Sequence, residues 1–117
     1  MERIAVPKFR SRIAPVLDTC TRLLIVDLEQ NTEAGQSELL VNGLSLSERV
    51  DTLKRSKVRR VICACASEMF LNLLTKAGIG VTTGIIGEVD QVVDAVIRGQ
   101  LEDPRFRMPG YVPDIKR

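Results

Sequence analysis

Hydrophobic and polar positions divide the 117 residues into short apolar runs and stripes of helical period. Residues 3–7, Arg-Ile-Ala-Val-Pro, predict a first strand that Pro7 ends, because proline has no N–H to give to a ladder. Residues 22–29, Arg-Leu-Leu-Ile-Val-Asp-Leu-Glu, are a near-continuous apolar run and predict the most deeply buried strand. Residues 30–37 are rich in Asn, Gly, Gln and Ser and predict a turn, from which Leu39-Leu40-Val41 returns as an antiparallel third strand. Ser45-Leu46-Ser47-Glu48 has the form of a capping box and opens a helix with Val50 and Leu53 on its apolar face. Lys54, Arg55 and Lys57 close that helix.

Val61-Ile62-Cys63 predicts the next strand, and Ser67 caps a second helix with Met69, Phe70, Leu73, Leu74 and Ala77 at helical spacing. Gly78 is placed as its left-handed C-cap. A last short strand over 79–82 and a Gly84-Ile85-Ile86-Gly87 turn lead to a third helix, marked by Val89, Val92, Val93, Val96 and Ile97 and ending at Gly99. Residues 100–117 hold three of the five prolines and read as an extended tail. The order β-β-β-α-β-α-β-α predicts a mixed five-stranded α/β sheet with a three-layer, ribonuclease-H-like layout. One domain over 1–101 and a tail over 102–117 follow. Cys63 and Cys65 then stand at the C-terminal mouth of a central strand, where ligands of open α/β sheets usually sit.

Composition removes several function classes. Aromatic residues are 3%, with no Trp and one Tyr, poor material for stacking on single-stranded nucleic acid, and a net charge of +2 is too small to argue for a nucleic-acid binder. No apolar run approaches the roughly 20 residues that span a bilayer. The start, MERIAVPKFRSR, lacks the apolar region of a secretory signal. Three cysteines, an odd number, fit reduced thiols and a cytoplasmic location. The chain has no histidine, which excludes Ser-His-Asp and Cys-His nucleophiles and every His-ligated metal site.

Two readings of Cys63 and Cys65 stand side by side. Beyond a strand end, a C-x-C pair can chelate a soft metal or metal–sulfur cluster as thiolates. Equally, cysteine packs well as a small apolar residue in a central strand. Two thiolates also fall short of the usual four ligands of zinc or iron–sulfur centres, so Cys20 or a second subunit would have to complete the set. The helix N-termini at Ser67-Glu68 and Gly87-Glu88 open at the same sheet edge and suit anions. Gly84 and Gly87 either admit a ligand close to the backbone or serve turn geometry. Lys8, Arg10 and Arg12 fall in a basic loop that can line the entrance for an anionic ligand. Lys54, Arg55, Lys57, Arg59 and Arg60, by contrast, are explained by the helix C-terminus they bracket. Nuclease chemistry needs clustered carboxylates for two metals; the first strand offers none, and Asp27 and Glu68 lie across the sheet from each other.

The chain resembles the nitrogenase iron–molybdenum cofactor biosynthesis family, the small cofactor carriers of the NifX type and the C-terminal domain of NifB. The residues that carry the resemblance are Ile4-Ala5-Val6-Pro7, Ile13-Ala14-Pro15, Leu24-Ile25-Val26-Asp27 and Val61-Ile62-Cys63. Ala77-Gly78-Ile79, Gly84-Ile85-Ile86-Gly87 and Val96-Ile97-Arg98-Gly99-Gln100-Leu101 extend it over residues 3–101. Phe106-Arg107-Met108-Pro109-Gly110 is similar to the tail of one branch. The resemblance implies a ribonuclease-H-like fold without nuclease activity, and binding and transfer of iron–sulfur or molybdenum-containing clusters. Three departures bear on the site. Val16-Leu17-Asp18-Thr19 stand where many members have His-Phe-Gly-Arg, so the histidine held to contact the cluster is absent. Ile86 and Tyr111 stand at or near positions where the related branch has cysteine. Cys63 matches a family position, whereas Cys65 and Cys20 are particular to this chain.

These observations lead to a non-catalytic carrier of an iron–sulfur or molybdenum–iron–sulfur cluster or precursor, working as monomer or homodimer with cluster donor or acceptor proteins. Cys63 and Cys65 are its candidate metal ligands; Lys8, Arg10, Arg12, Ser67, Gly84 and Gly87 are its candidate cofactor-binding residues. The alternative is an interaction or regulatory domain of the same fold without a cluster. An enzyme ranks last, since no acid/base or nucleophile–base set can be named.

Overall fold

The computed structural model describes residues 2–30 and 32–108. Six strands form one mixed sheet: β1 (Glu2–Phe9), β2 (Arg12–Ile13), β3 (Arg22–Glu29), β4 (Thr32–Leu40), β5 (Arg60–Ile62) and β6 (Gly80–Thr82). Their order is β4-β3-β1-β5-β6, with β2 paired to the end of β1. β1 runs antiparallel to β3 and parallel to β5, and β5 runs parallel to β6. The helices are α1 (Leu46–Arg55), α2 (Glu68–Lys76) and α3 (Val89–Arg98).

Strand alternation gives the sheet two buried faces. Ala5, Leu23, Ile25 and Val61 face one side and pack with Val50 and Leu53 of α1 and Phe70 and Leu74 of α2. Ile4, Val6, Leu24, Val26 and Ile62 face the other and pack with Val89, Val92 and Val93 of α3. The register Ile4↔Val26, Ala5↔Ile25, Val6↔Leu24 keeps each set on its own face. The apolar run at 22–29 is continuous because both of its faces are covered.

The local signals at the helix ends hold. Ser45 Oγ accepts from the Glu48 amide at 3.2 Å while Glu48 Oε1 accepts from the Ser45 amide at 2.8 Å, which completes the capping box. Ser67 Oγ caps α2 through the Phe70 amide at 3.1 Å. Gly78 (φ +80°) and Gly99 (φ +69°) supply the left-handed turns that stop α2 and α3.

The sheet departs from expectation in three places. It has six strands rather than five, because Arg12–Ile13 folds back on Lys8 and Phe9. Of the expected turn at 30–37, residues 32–37 are strand: β4 begins at Thr32 and pairs with β3 along most of its length. It reads as polar because it is an edge strand whose residues are mostly exposed. Pro7 does not end β1, which continues to Phe9. On that edge the Arg3 carbonyl accepts from Arg59 and the Pro7 carbonyl accepts from Ala14, so the donor proline lacks falls where β5 pairing has stopped. Of the tail, residues 102–108 are described. Pro104–Phe106 forms a 3₁₀ turn, and Phe106 is buried against α3 in the second core.

Candidate functional site

The C-terminal ends of β1, β5 and β6 meet at one rim of the sheet, and three connections build it. The segment from Ala14 to Thr21 crosses from the end of β1 to the end of β5. It is tied by Ala14 N–H to the Pro7 carbonyl (2.9 Å), Leu17 N–H to the Cys65 carbonyl (2.8 Å) and a parallel bridge between Val16 and Cys65. Residues 63–67 lead into α2, and residues 83–88 lead into α3.

Next to this rim lies a depression of about 380 Å³ lined by Lys8, Phe9, Arg10, Thr21 and Arg22. A neighbouring one of about 260 Å³ shares Lys8, Phe9 and Thr21 and extends to Pro15, Val16 and Thr19. Phe9 and Val16 are exposed at 59% and 39%, so the floor offers apolar surface between cations. Lys8 and Arg22 both reach Glu38, at 3.0 and 3.4 Å, and Arg10 lies over the Phe9 ring at 5.3 Å. Two cations thus share one carboxylate with Arg10 as a third cation beside them, and the lining keeps a positive excess. Lys8 and Arg22 hold the Glu38 carboxyl below the usual carboxylate range.

The predicted basic loop is therefore not a loop. Lys8 belongs to β1, Arg10 to a turn with φ +57°, and Arg12 to β2. Arg12 also faces away from the other two in its pairing, forming an ion pair with Glu88 at 3.0 Å.

The cysteines separate. β5 ends at Ile62, so Cys63 and Cys65 lie beyond the strand and do not share a surface. Cys63 is fully buried in the first core, and burial, followed by the nearby Cys65, pushes its thiol up to about 12. Its surroundings therefore favour the neutral thiol. Cys20 is also buried and raised, mainly by burial, despite the Arg49 guanidinium beside it. Cys65 is exposed. Among the described residues no three His, Cys, Asp or Glu side chains gather as a metal site. The described thiols, two buried and one exposed, do not assemble the four-thiolate set usual for zinc.

The helix N-termini are already engaged. The Ser67 amide donates to Asp18 Oδ1 at 2.8 Å, so a carboxylate of the chain stands where an exogenous anion was expected. Gly84 donates to the Ala64 carbonyl at 2.8 Å and accepts from Met108 at 3.0 Å. Gly87 has φ +124° and accepts from Ile13; a Cβ there would meet Phe106 Cδ1 at 3.5 Å, so the close neighbour is Phe106. Both glycines serve turns that anchor the 102–108 segment.

Sequence reasoning passed over Phe9, Thr21 and Arg22. A large apolar residue flanked by Lys8 and Arg10 was the legible signal for Phe9; Arg22 joins only through β3 pairing beside β1.

The class so defined is an α/β protein with helices on both faces of a mixed sheet and a cationic, apolar-floored depression near the C-terminal rim of its parallel strands. No family model matches the chain, and no curated protein matches it in sequence. Solved structures share its fold. A candidate dinitrogenase from Methanocaldococcus jannaschii superposes with a TM-score of 0.70 at 20% identity, covering 84% of this chain and 89% of its own. A candidate NifB protein from Thermotoga, assigned to the DUF35 family, gives 0.71 at 19% identity, covering 98% and 100%. The apo form of the orange protein from Desulfovibrio gigas gives 0.71 at 21% identity, covering 86% and 90%. At these identities the likeness is one of fold.

Proposed function

We propose that this protein is a non-catalytic carrier of an anionic metal–sulfur cluster or thiometallate precursor, built on a ribonuclease-H-like fold and serving metallocofactor assembly in the cytoplasm. The observation that carries the reading is the depression in which Lys8 and Arg22 share the Glu38 carboxylate while Arg10 lies over exposed Phe9. A soft, polarisable anion gains from both features: charge complementarity from the cations and contact with the apolar floor. Cys65 lies at the edge of the same rim through its bridge to Val16. The names of the solved neighbours, dinitrogenase and NifB, point the same way, and an apo form is by its name a protein that takes a separable group.

A specific observation favours a second reading, an interaction domain without cargo. Several charges that would meet a cluster are satisfied internally: Lys8 by Glu38, Arg12 by Glu88 and the Ser67 amide by Asp18.

The deciding experiment is anaerobic incubation of the full chain with iron plus sulfide and, separately, with tetrathiomolybdate, followed by elemental analysis and an absorption spectrum. The carrier reading expects stoichiometric, coloured binding, weakened by Lys8→Gln/Arg10→Gln and strongly salt-dependent. Absence of binding in both incubations would leave the interaction domain as the better reading.

A further inference from the structure

The sulfur of Cys65 is not alone. Its Sγ lies 4.0 Å from Sδ of Met108, and Cys65 is exposed while Met108 is partly buried. Both residues are held by backbone rather than by chance contact. The Cys65 carbonyl accepts from Leu17, Met108 N–H donates to the Gly84 carbonyl at 3.0 Å, and Arg107 bridges to Ile85. The β5–α2 connection and the segment after α3 thus each present one sulfur to the other, and Phe106, buried in the second core, pins the segment that carries Met108.

We propose that Cys65 and Met108 form a two-sulfur site for a soft, monovalent d¹⁰ ion, Cu(I) in its chemistry. A thiolate and a thioether are the donors that select such an ion over zinc, calcium or magnesium. Two bonds of the zinc–thiolate length, about 2.3 Å, laid end to end span about 4.6 Å and set the scale for two sulfurs on one metal ion. The separation of 4.0 Å reaches that with a small opening, which the three rotatable bonds of methionine allow. Zinc would find two of its usual four ligands and no histidine to add. Binding balances as Cys65–SH plus Cu(I) giving the Cys65–S–Cu bond and one released proton, with the Met108 thioether donating a lone pair and no change of oxidation state. The site stands whether or not a cluster binds at the cationic depression, because its probe is a single ion without sulfide.

The test uses the full chain, ¹³C-labelled at its three methionine methyls, titrated anaerobically with Ag(I) as a diamagnetic stand-in, beside Cu(I) competition against a chromogenic chelator. The expected result is one ion per chain, with the Met108 methyl displaced and those of Met1 and Met69 unmoved. Cys65→Ser should abolish retention of Cu(I). Met108→Leu, close in volume and so safe for folding, should weaken it by more than the roughly 10–100-fold that loss of an outer-shell partner costs. Cys63→Ala should leave it unchanged. An unmoved Met108 methyl, or affinity unaltered in Met108→Leu, overturns the proposal. Failure here with retained tetrathiomolybdate binding would remove the two-sulfur site and leave the carrier reading in place.

Discussion

Cys63 and Cys65 are two positions apart in the chain, yet one is sealed in the first core and the other meets solvent. For Cys63 the difference has a consequence for stability. Burial first, then the nearby Cys65, raises its thiol from the ordinary 9.0 of the unfolded chain to about 12 in the fold. Below pH 9 both states hold the proton, and the contribution to stability is complete. Between those two values the native state keeps a proton that the unfolded state has lost, so stability falls as pH rises, by up to about 1.4 kcal/mol per pH unit. Cys20 acts in the same direction through its own burial. Urea midpoints of the wild-type chain should therefore fall steeply above pH 9, and those of Cys63→Ala should fall less steeply while keeping the part due to Cys20. Parallel pH profiles for the two chains would show that Cys63 is not held protonated by the fold. The sequence could place Cys63 and Cys65 together but not tell inside from outside, because β5 stops at Ile62 and the strand alternation that would set their facing no longer applies.

At the scale of elements, what was legible follows burial. β3, the three helices and their caps carry apolar periods and capping residues and fall close to where those signals put them, and β1 does so apart from running past Pro7 to Phe9. β4 carried no such period. It is made by hydrogen bonds to β3 while its side chains face solvent, and burial patterns are silent about an element that buries little. The Gly84–Gly87 turn was legible as a turn, but its partner was not. Gly87 faces Phe106, which lies past the far end of the helix that Gly87 was read as opening. That contact gives a contrast between two glycines. Gly99→Ala places a left-handed alanine with nothing within 4 Å of its Cβ, at φ +69°, and should cost about 1 kcal/mol. Gly87→Ala forces φ +124° on an alanine wedged between Phe106 and Val92, in a region costing roughly 1–3 kcal/mol. Its urea midpoint should fall further than that of Gly99→Ala; an equal or smaller drop would mean the turn can relax without disturbing Phe106.

Across the whole molecule, charge is segregated between two depressions. The cationic one lies beside β1 and β3 around Phe9, and another of about 200 Å³ between β4 and α3 is lined by Glu33, Asp90 and Asp94. A net charge of +2 conceals that division, which arises only when β4 and α3 are brought together. An anionic cargo should find the first and be repelled by the second. The candidate site was legible in part for the same reason: Lys8 and Arg10 are neighbours in sequence, whereas Arg22 and the exposure of Phe9 and Val16 depend on strand pairing and on the path of residues 14–21.

The central claim is that the cationic depression is where an anionic thiometallate sits, and amide chemical-shift mapping of the ¹⁵N-labelled chain with tetrathiomolybdate tests it most directly. The account predicts perturbations centred on Lys8, Phe9, Arg10, Thr21 and Arg22, reaching Val16 and Cys65. Perturbations centred on Glu33, Asp90 and Asp94, or none at all at stoichiometric thiometallate, would contradict it.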